Sequence, residues 1–215
     1  MPPVFPRLYI IVDAPLLPIP ATEMAERLAS AGAPLIQYRD KQGSSLRLYE
    51  TCRELGRRMA SFPVRWIVND RADIAMLTGA GGVHVGQDDL PVAAAREIVG
   101  RDRWVGFSTH TLEQVREADT TSADYIAFGP IYPTTTKKQA DPTVGAEGLR
   151  RARELTRKPL VAIGGIRLEN AEELWRAGAD SLAVARDVVS HRDPSARVRE
   201  YLALAERVFG AQAKP

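Results

Sequence analysis

Residues 35–68 read LIQYRDKQGSSLRLYETCRELGRRMASFPVRWIV and contain the repeating unit from which the fold can be predicted. Leu35 to Tyr38 and Trp66 to Val68 are short apolar runs of strand length, which predict two β-strands. Between them, Ser45 to Ala60 carries apolar side chains at helical spacing and predicts a helix. A strand, a helix and a further strand in this order form the βαβ unit from which parallel sheets are built.

The same alternation continues along the whole chain. The predicted strands are Leu8 to Val12, Leu35 to Tyr38, Trp66 to Val68, Val83 to Val85, Trp104 to Gly106, Tyr125 to Phe128, Leu160 to Ile163 and Ser181 to Val184. The predicted helices are Thr22 to Ala31, Ser45 to Ala60, Arg71 to Leu77, Pro91 to Val99, Leu112 to Ala118, Ala146 to Leu155, Leu168 to Ala177 and Ala196 to Val208. Eight such pairs predict a closed (β/α)8 barrel, an α/β fold in one domain spanning residues 1–215. The rival architecture, an open doubly wound sheet, usually has a glycine-rich turn after an early strand, and none follows Val12 here.

Composition and charge exclude several classes of protein. With 215 residues and 45% apolar content, the chain can bury a full core. Its net charge of +2 includes no block of like charges, which argues against a nucleic-acid partner. The apolar runs are too short to span a membrane, and the N-terminus lacks a leader pattern, so we expect a cytoplasmic protein. The single Cys52 lies at helical spacing from Leu48 and Leu55 and is interpreted as a core residue. A monomer and a homo-oligomer both remain open.

The predicted barrel brings chemically active residues to one rim, because the loops that follow the strands all meet at its carboxyl end. Cations, hydroxyl groups and an amide suit phosphate groups, whereas paired carboxylates suit a hard metal ion such as magnesium. These residues therefore predict an enzyme that acts on a diphosphate with the help of magnesium. They are Arg39 and Lys41 after strand two, Asn69 and Asp70 after strand three, Gly86 to Asp89 after strand four, Ser108 and His110 after strand five, Thr134 to Lys137 after strand six, Gly164 and Gly165 after strand seven, and Ala185 and Arg186 after strand eight.

Six short motifs in this order resemble the thiamine phosphate synthases of the thiamine-synthase and thiazole-tautomerase superfamily. The motifs are Gln37-x-Arg39-x-Lys41, Asn69-Asp70-Arg71, His84-x-Gly86-Gln87-x-Asp89, Ser108-x-His110-Thr111, Gly129-Pro130-x-x-Pro133-Thr134-x-Thr136-Lys137 and Ala162-Ile163-Gly164-Gly165-Ile166. The resemblance implies that hydroxymethylpyrimidine diphosphate is joined to a plain or carboxylated thiazole phosphate. Thiamine phosphate and diphosphate would then be the products, formed through a loose, cation-like transition state.

The resemblance also implies roles for individual residues. The pyrimidine diphosphate would contact Gln37, Tyr38, Arg39, Asp40, Lys41, Asn69, Ser108 and Lys137. Four of these, Arg39, Lys41, Lys137 and Ser108, would stabilise the charge that develops on the leaving diphosphate. The thiazole phosphate would contact Thr134, Thr135, Thr136, Gly165, Ala185 and Arg186, with the amides of the last two opening the final helix. Mg²⁺ would be the cofactor, with Asp70 and Asp89 as its ligands.

Other interpretations stay open for some of these residues. Asp70 and Asp89 each precede a predicted helix and could be its N-cap. His84 is expected to have a structural role, whereas His110 would be the proton shuttle if the protein were a thiazole tautomerase. A phosphate-binding protein without catalytic activity is a second alternative, supported only by Arg186, which stands where the family usually has serine.

Overall fold

A computed structural model describes residues 5–134 and 142–210. Its strands form a closed parallel barrel in sequence order, with β8 pairing against β1. The strands are β1 Leu8–Asp13, β2 Leu35–Arg39, β3 Arg65–Asn69, β4 Gly82–Val85, β5 Trp104–Thr109, β6 Tyr125–Phe128, β7 Leu160–Ile163 and β8 Ser181–Val184. The helices of the described ranges are α1 Ala21–Ser30, α2 Ser45–Met59, α3 Ala72–Leu77, α4 Val92–Val99, α5 Leu112–Asp119, α6 Gly145–Leu155, α7 Leu168–Arg176, α8 Arg186–Val189 and α9 Pro194–Gly210. The predicted (β/α)8 fold is confirmed.

The sequence-based prediction missed a short helix after the last strand. Helix α8 covers only Arg186–Val189, and four residues are too few to show a helical period. The amides of Ala185 and Arg186 therefore open α8, and the prediction that they open the final helix was wrong, since α9 begins at Pro194. Strand β5 also runs beyond the predicted Gly106 as far as Thr109.

Alternate residues of each strand face two separate cores. On β1, Leu8, Ile10 and Val12 pack beneath the helices, whereas Tyr9 and Ile11 fill the inside of the barrel. Strands that are buried on both faces carry continuous apolar runs, which explains why the strands could be recognised in the sequence. Side chains at the carboxyl ends of the inward rows are the ones placed to reach a ligand.

The beginnings of α3 and α4 test the N-cap interpretation of the two aspartates. The N-cap residues are Arg71 and Pro91, and neither helix has a side-chain cap hydrogen bond. Asp89 instead accepts a hydrogen bond from the Gly86 amide at 2.7 Å. The N-cap interpretation of Asp70 and Asp89 was therefore wrong, and both carboxylates serve the loops at the barrel rim.

Cys52 is buried on α2, and burial raises the pKa of its thiol to about 12. It therefore stays protonated at neutral pH and acts as a small apolar core residue, as predicted. Within residues 5–134 and 142–210, every helix is too short or too polar to cross a membrane.

Candidate active site

A cavity of about 610 Å³ opens at the carboxyl end of the barrel. Inward-facing residues of the strands form its floor, and the loops after β6, β7 and β8 form its walls. Among the predicted site residues, the cavity is lined by Gln37, Arg39, Asn69, Thr134, Gly165, Ala185 and Arg186. The fold thus brings together residues that lie up to 149 positions apart in the chain, from Gln37 to Arg186.

Arg39 is held by a carboxylate that the sequence analysis did not single out. The Arg39 guanidinium donates to Asp13 Oδ1 at 2.6 Å, and these two residues are partners in the register of β1 and β2. The Asp13 side chain is only 3% exposed and that of Arg39 17%, so little water competes with the pair. Asp13 therefore fixes the direction in which Arg39 presents its remaining donors to the cavity.

Lys41, Asp70 and Asp89 form a charged cluster on the rim between β2, β3 and β4. Lys41 Nζ lies 2.9 Å from Asp70 Oδ2. Burial, together with the neighbouring Asp89 carboxylate, raises the pKa of Asp70, and the Lys41 ammonium acts in the opposite direction. Asp70 has a left-handed backbone, with φ of 63°. Two carboxylates placed side by side repel each other unless a cation lies close to both.

A chain of hydrogen bonds crosses the inside of the barrel beneath the cavity. Gln37 Nε2 donates to the Tyr9 hydroxyl at 2.5 Å, and the hydroxyls of Tyr9 and Tyr125 are 2.9 Å apart. Tyr125 is 3.0 Å from His84 Nδ1, and His84 Nε2 is 2.8 Å from Ser108 Oγ. The expectation of a structural His84 fits these two contacts. Burial raises the pKa of both tyrosines, so each hydroxyl keeps its proton.

Gly106 provides the space for this chain. It lies between His84 and Tyr125 in the strand register, on the same inward-facing row of β5 as Ser108. A Cβ atom at position 106 would lie 2.1 Å from Tyr125 Cζ and 2.4 Å from His84 Nδ1. Only glycine lets the phenol and the imidazole meet across this strand.

The opposite side of the cavity has the backbone geometry of an anion site. Gly164 and Gly165 both have positive φ, and a Cβ at Gly165 would lie 2.7 Å from the Pro133 carbonyl oxygen. The loop after β7 can therefore approach a ligand and the β6 loop closely. Thr134, Ala185 and Arg186 lie around the same space, together with Arg167 and His191, which the sequence analysis did not predict. Isolated polar residues in loops gave no signal that could have found these last two.

Within the described ranges, four predicted contacts to the pyrimidine substrate are not among the residues that line the cavity: Tyr38, Asp40, Lys41 and Ser108. Tyr38 faces the layer between the sheet and the helices, because its neighbours Gln37 and Arg39 point inward. Asp40 folds back onto its own loop and accepts hydrogen bonds from the amides of Gln42 and Gly43 at 3.0 and 2.8 Å. Both residues shape the β2 loop that carries Lys41.

The predicted contacts Thr135, Thr136 and Lys137 lie outside the described residues. Ser108 is half-buried at the end of β5 and contacts His84, which itself lines the cavity. His110 lines the cavity, and its Nδ1 is 2.6 Å from the Gly129 carbonyl oxygen, which requires a proton on that nitrogen. Within the described ranges, no group of three or more His, Cys, Asp or Glu side chains could hold a metal ion. Asp70 and Asp89 form only a pair, the number with which Mg²⁺ is commonly bound when substrate and water supply the other oxygens.

Comparison with known proteins shows which family the chain resembles in sequence. Residues 8–188 match the family described as thiamine monophosphate synthase. A thiamine-phosphate synthase from Koribacter versatilis is 48% identical over 202 residues, which are 92% of this chain and 94% of the relative. One from Methanospirillum hungatei is 43% identical over 195 residues, covering 90% and 95% of the two chains.

A solved structure has the same fold. The thiamine phosphate pyrophosphorylase from Pyrococcus furiosus superimposes with a TM-score of 0.86 at 33% identity, covering 95% of this chain and 97% of its own. The family match over residues 8–188 includes all eight strands of the barrel. The chain therefore belongs to the thiamine monophosphate synthase family.

Proposed function

We propose that the protein joins 4-amino-2-methyl-5-hydroxymethylpyrimidine diphosphate to a thiazole phosphate in this cavity, giving thiamine phosphate and diphosphate. The observation that carries this assignment is the arrangement of two anion-binding regions on opposite sides of one cavity. Arg39 and Asn69 line the cavity at the ends of β2 and β3, with Lys41 on the rim beside them, whereas Gly165 and Arg186 line it after β7 and β8. Two phosphorylated substrates can thus bind face to face, with the diphosphate on the β2 and β3 side.

The residues stabilise departure of diphosphate and need not activate a nucleophile. The thiazole nitrogen is already a neutral nucleophile, so the reaction requires no general base. Arg39, oriented by Asp13, and Lys41 offer positive charge to the leaving group, with Lys137 as a further proposed cation. Such interactions accelerate the reaction only to the extent that they strengthen as the charge develops.

Asp70 and Asp89 are the proposed Mg²⁺ ligands. The mutual repulsion of their carboxylates, which contributes to the raised pKa of Asp70, is the property expected of a site that gains from a divalent cation. When bound, Mg²⁺ would neutralise charge on the diphosphate oxygens. Lys41 Nζ lies 2.9 Å from Asp70 Oδ2, so its ammonium is held beside the carboxylates that would hold the metal.

On the thiazole side, Thr134, Gly165, and the amides of Ala185 and Arg186 are the proposed phosphate contacts, together with Thr135 and Thr136. The left-handed Gly165 exposes its backbone at the cavity wall. A guanidinium at position 186 can form a bidentate contact with a phosphate group, which a serine cannot. We therefore propose that Arg186 adds affinity for the thiazole phosphate.

The test is to mix the protein with both substrates and measure thiamine phosphate and diphosphate, with Mg²⁺ or with a chelator. Both products should form at equal rates, and only with the metal. The Lys41→Ala and Asp70→Asn variants should lose at least about tenfold in kcat/KM, the usual scale for removing a charged contact to a transition state. Arg176→Ala is the matched control, since this arginine pairs with Glu172 on the exposed face of α7. Absence of both products under every condition would overturn the proposal.

A further inference from the structure

The hydrogen-bonded chain beneath the cavity links two residues that are proposed to contact the diphosphate. Gln37 stands at one end and Ser108 at the other, on strands that are not neighbours in the barrel. We propose that Tyr9, Tyr125 and His84 are positioning residues, which impose one direction on this chain and thereby make the Ser108 hydroxyl a hydrogen-bond donor to the substrate. The inference rests on the proposed function for the identity of the substrate.

The direction follows from counting protons. The Gln37 amide nitrogen can only donate, so the Tyr9 oxygen accepts from it. Among the described residues, Tyr125 is then the one remaining hydrogen-bond partner for the buried Tyr9 proton, which therefore goes to Tyr125. The Tyr125 hydroxyl in turn donates its hydrogen bond to His84 Nδ1. A neutral imidazole that accepts at Nδ1 carries its proton on Nε2 and donates to Ser108 Oγ. The serine proton is then directed away from His84.

Burial keeps this direction from being exchanged through water. Tyr9 is 1% exposed, Tyr125 is fully buried and His84 is 6% exposed. Reversal of any single link would leave two donors or two acceptors facing each other, which is costly inside a protein. The chain therefore has two self-consistent states, and the Gln37 amide selects one of them.

The selected state suits an anionic ligand. A Ser108 hydroxyl that accepts from His84 can offer its proton to a phosphate oxygen. In the reversed state the serine would donate to His84 Nε2 and present only lone pairs to the substrate. Orientation of the Gln37 amide on β2 thus determines the polarity of a group on β5.

The first test measures which ring nitrogen of His84 carries the proton, and it does not depend on an activity assay. The protein contains three histidines, so ¹⁵N-histidine spectra of the His110→Gln and His191→Gln variants assign His84 by elimination. At about pH 8, where an ordinary histidine is neutral, His84 should be protonated at Nε2 only. In Gln37→Glu, which replaces the donor by an acceptor for the Tyr9 proton, the Nδ1-protonated form should appear. A wild-type His84 protonated at Nδ1, or an unchanged spectrum in Gln37→Glu, would overturn the proposal, whether or not the protein has synthase activity.

The second test asks whether the effect on activity passes through Ser108. Tyr125→Phe should lower kcat/KM about tenfold in the wild-type background, the scale for loss of one hydrogen bond to a charged group. In a Ser108→Ala background the same change should cost less than about twofold, because coupled sites are not additive. Equal losses in both backgrounds would contradict the positioning role.

Tyr49→Phe is the matched control, since this tyrosine lies on α2 outside the barrel. It should leave kcat/KM unchanged in both backgrounds. Circular dichroism checks that each variant is folded, and Tyr9→Phe breaks the same chain one link earlier if Tyr125→Phe does not fold. The same dependence on Ser108 is expected for that variant.

Discussion

The Gly106→Ala variant should unfold far more easily than the size of one methyl group suggests. The new Cβ would lie 2.1 Å from Tyr125 Cζ and 2.3 Å from its hydroxyl oxygen. Carbon atoms pack at roughly 3.5–4.0 Å, so the phenol ring must move by about 1.5 Å. Both of its hydrogen bonds, at 2.9 Å to Tyr9 and 3.0 Å to His84, would then be broken.

The expected loss combines two terms. Overpacking of a core costs about 1–3 kcal/mol, and buried polar groups left without partners cost about 1–3 kcal/mol more. For a loss of about 4 kcal/mol, a protein of this length should show a Tm lower by roughly 8–16 °C. Thermal unfolding followed by circular dichroism measures the shift.

Two further variants decide whether the clash is the cause. Gly210→Ala is the control, because a Cβ there meets nothing within 4 Å, and its Tm should change by no more than about 2 °C. Combining Gly106→Ala with Tyr125→Leu should destabilise less than the sum of the single changes, since the smaller side chain leaves room for the methyl group. A wild-type Tm in Gly106→Ala, or strict additivity in the double variant, would refute the reasoning.

Three other predictions concern single residues. Asp13→Asn should lower kcat/KM by up to about a hundredfold, since a misplaced Arg39 no longer aligns the diphosphate, and unchanged kinetics would contradict the orienting role. Arg186→Ser should raise the KM for thiazole phosphate roughly tenfold, the scale of one charge-assisted hydrogen bond, and an equal or lower KM would count against the added contact. Cys52 should react with a thiol reagent at pH 8 only after unfolding in urea, and fast labelling of the folded protein would contradict its burial. Because the pKa of the Cys52 thiol is raised in the folded state, the thiol's contribution to stability is fully present below the usual thiol pKa of 9.0. This contribution should be lost as the pH rises toward about 12.

The sequence predicted the barrel because its strands are buried on both faces and its helices on one. Those two patterns differ in period, so Leu160–Ile163 and Ser181–Val184 were placed without error. The short α8 was missed because its residues Arg186–Val189 complete barely one turn. The spacing of apolar residues can identify a helix only when the helix is longer than one turn.

The location of a candidate residue was predictable where it belongs to a motif at a strand end, as for Arg39, Lys41 and Asp70. It was not predictable where a residue acts through its position inside the barrel. Tyr9 and Asp13 belong to an ordinary apolar strand, and their partners Gln37 and Arg39 become apparent only from the register of β1 and β2. A pairing between strands depends on the closed fold, which no single stretch of sequence contains.

The left-handed backbone of Asp70 limits which acid can stand at this position. Among residues with a side chain, Asp and Asn adopt this conformation readily, whereas Glu does so much less. A carboxylate one methylene longer would therefore strain the chain before it met any ligand. The reach of the acid group from the β3 loop toward the neighbouring Asp89 is therefore set by the main chain and not by the side chain alone.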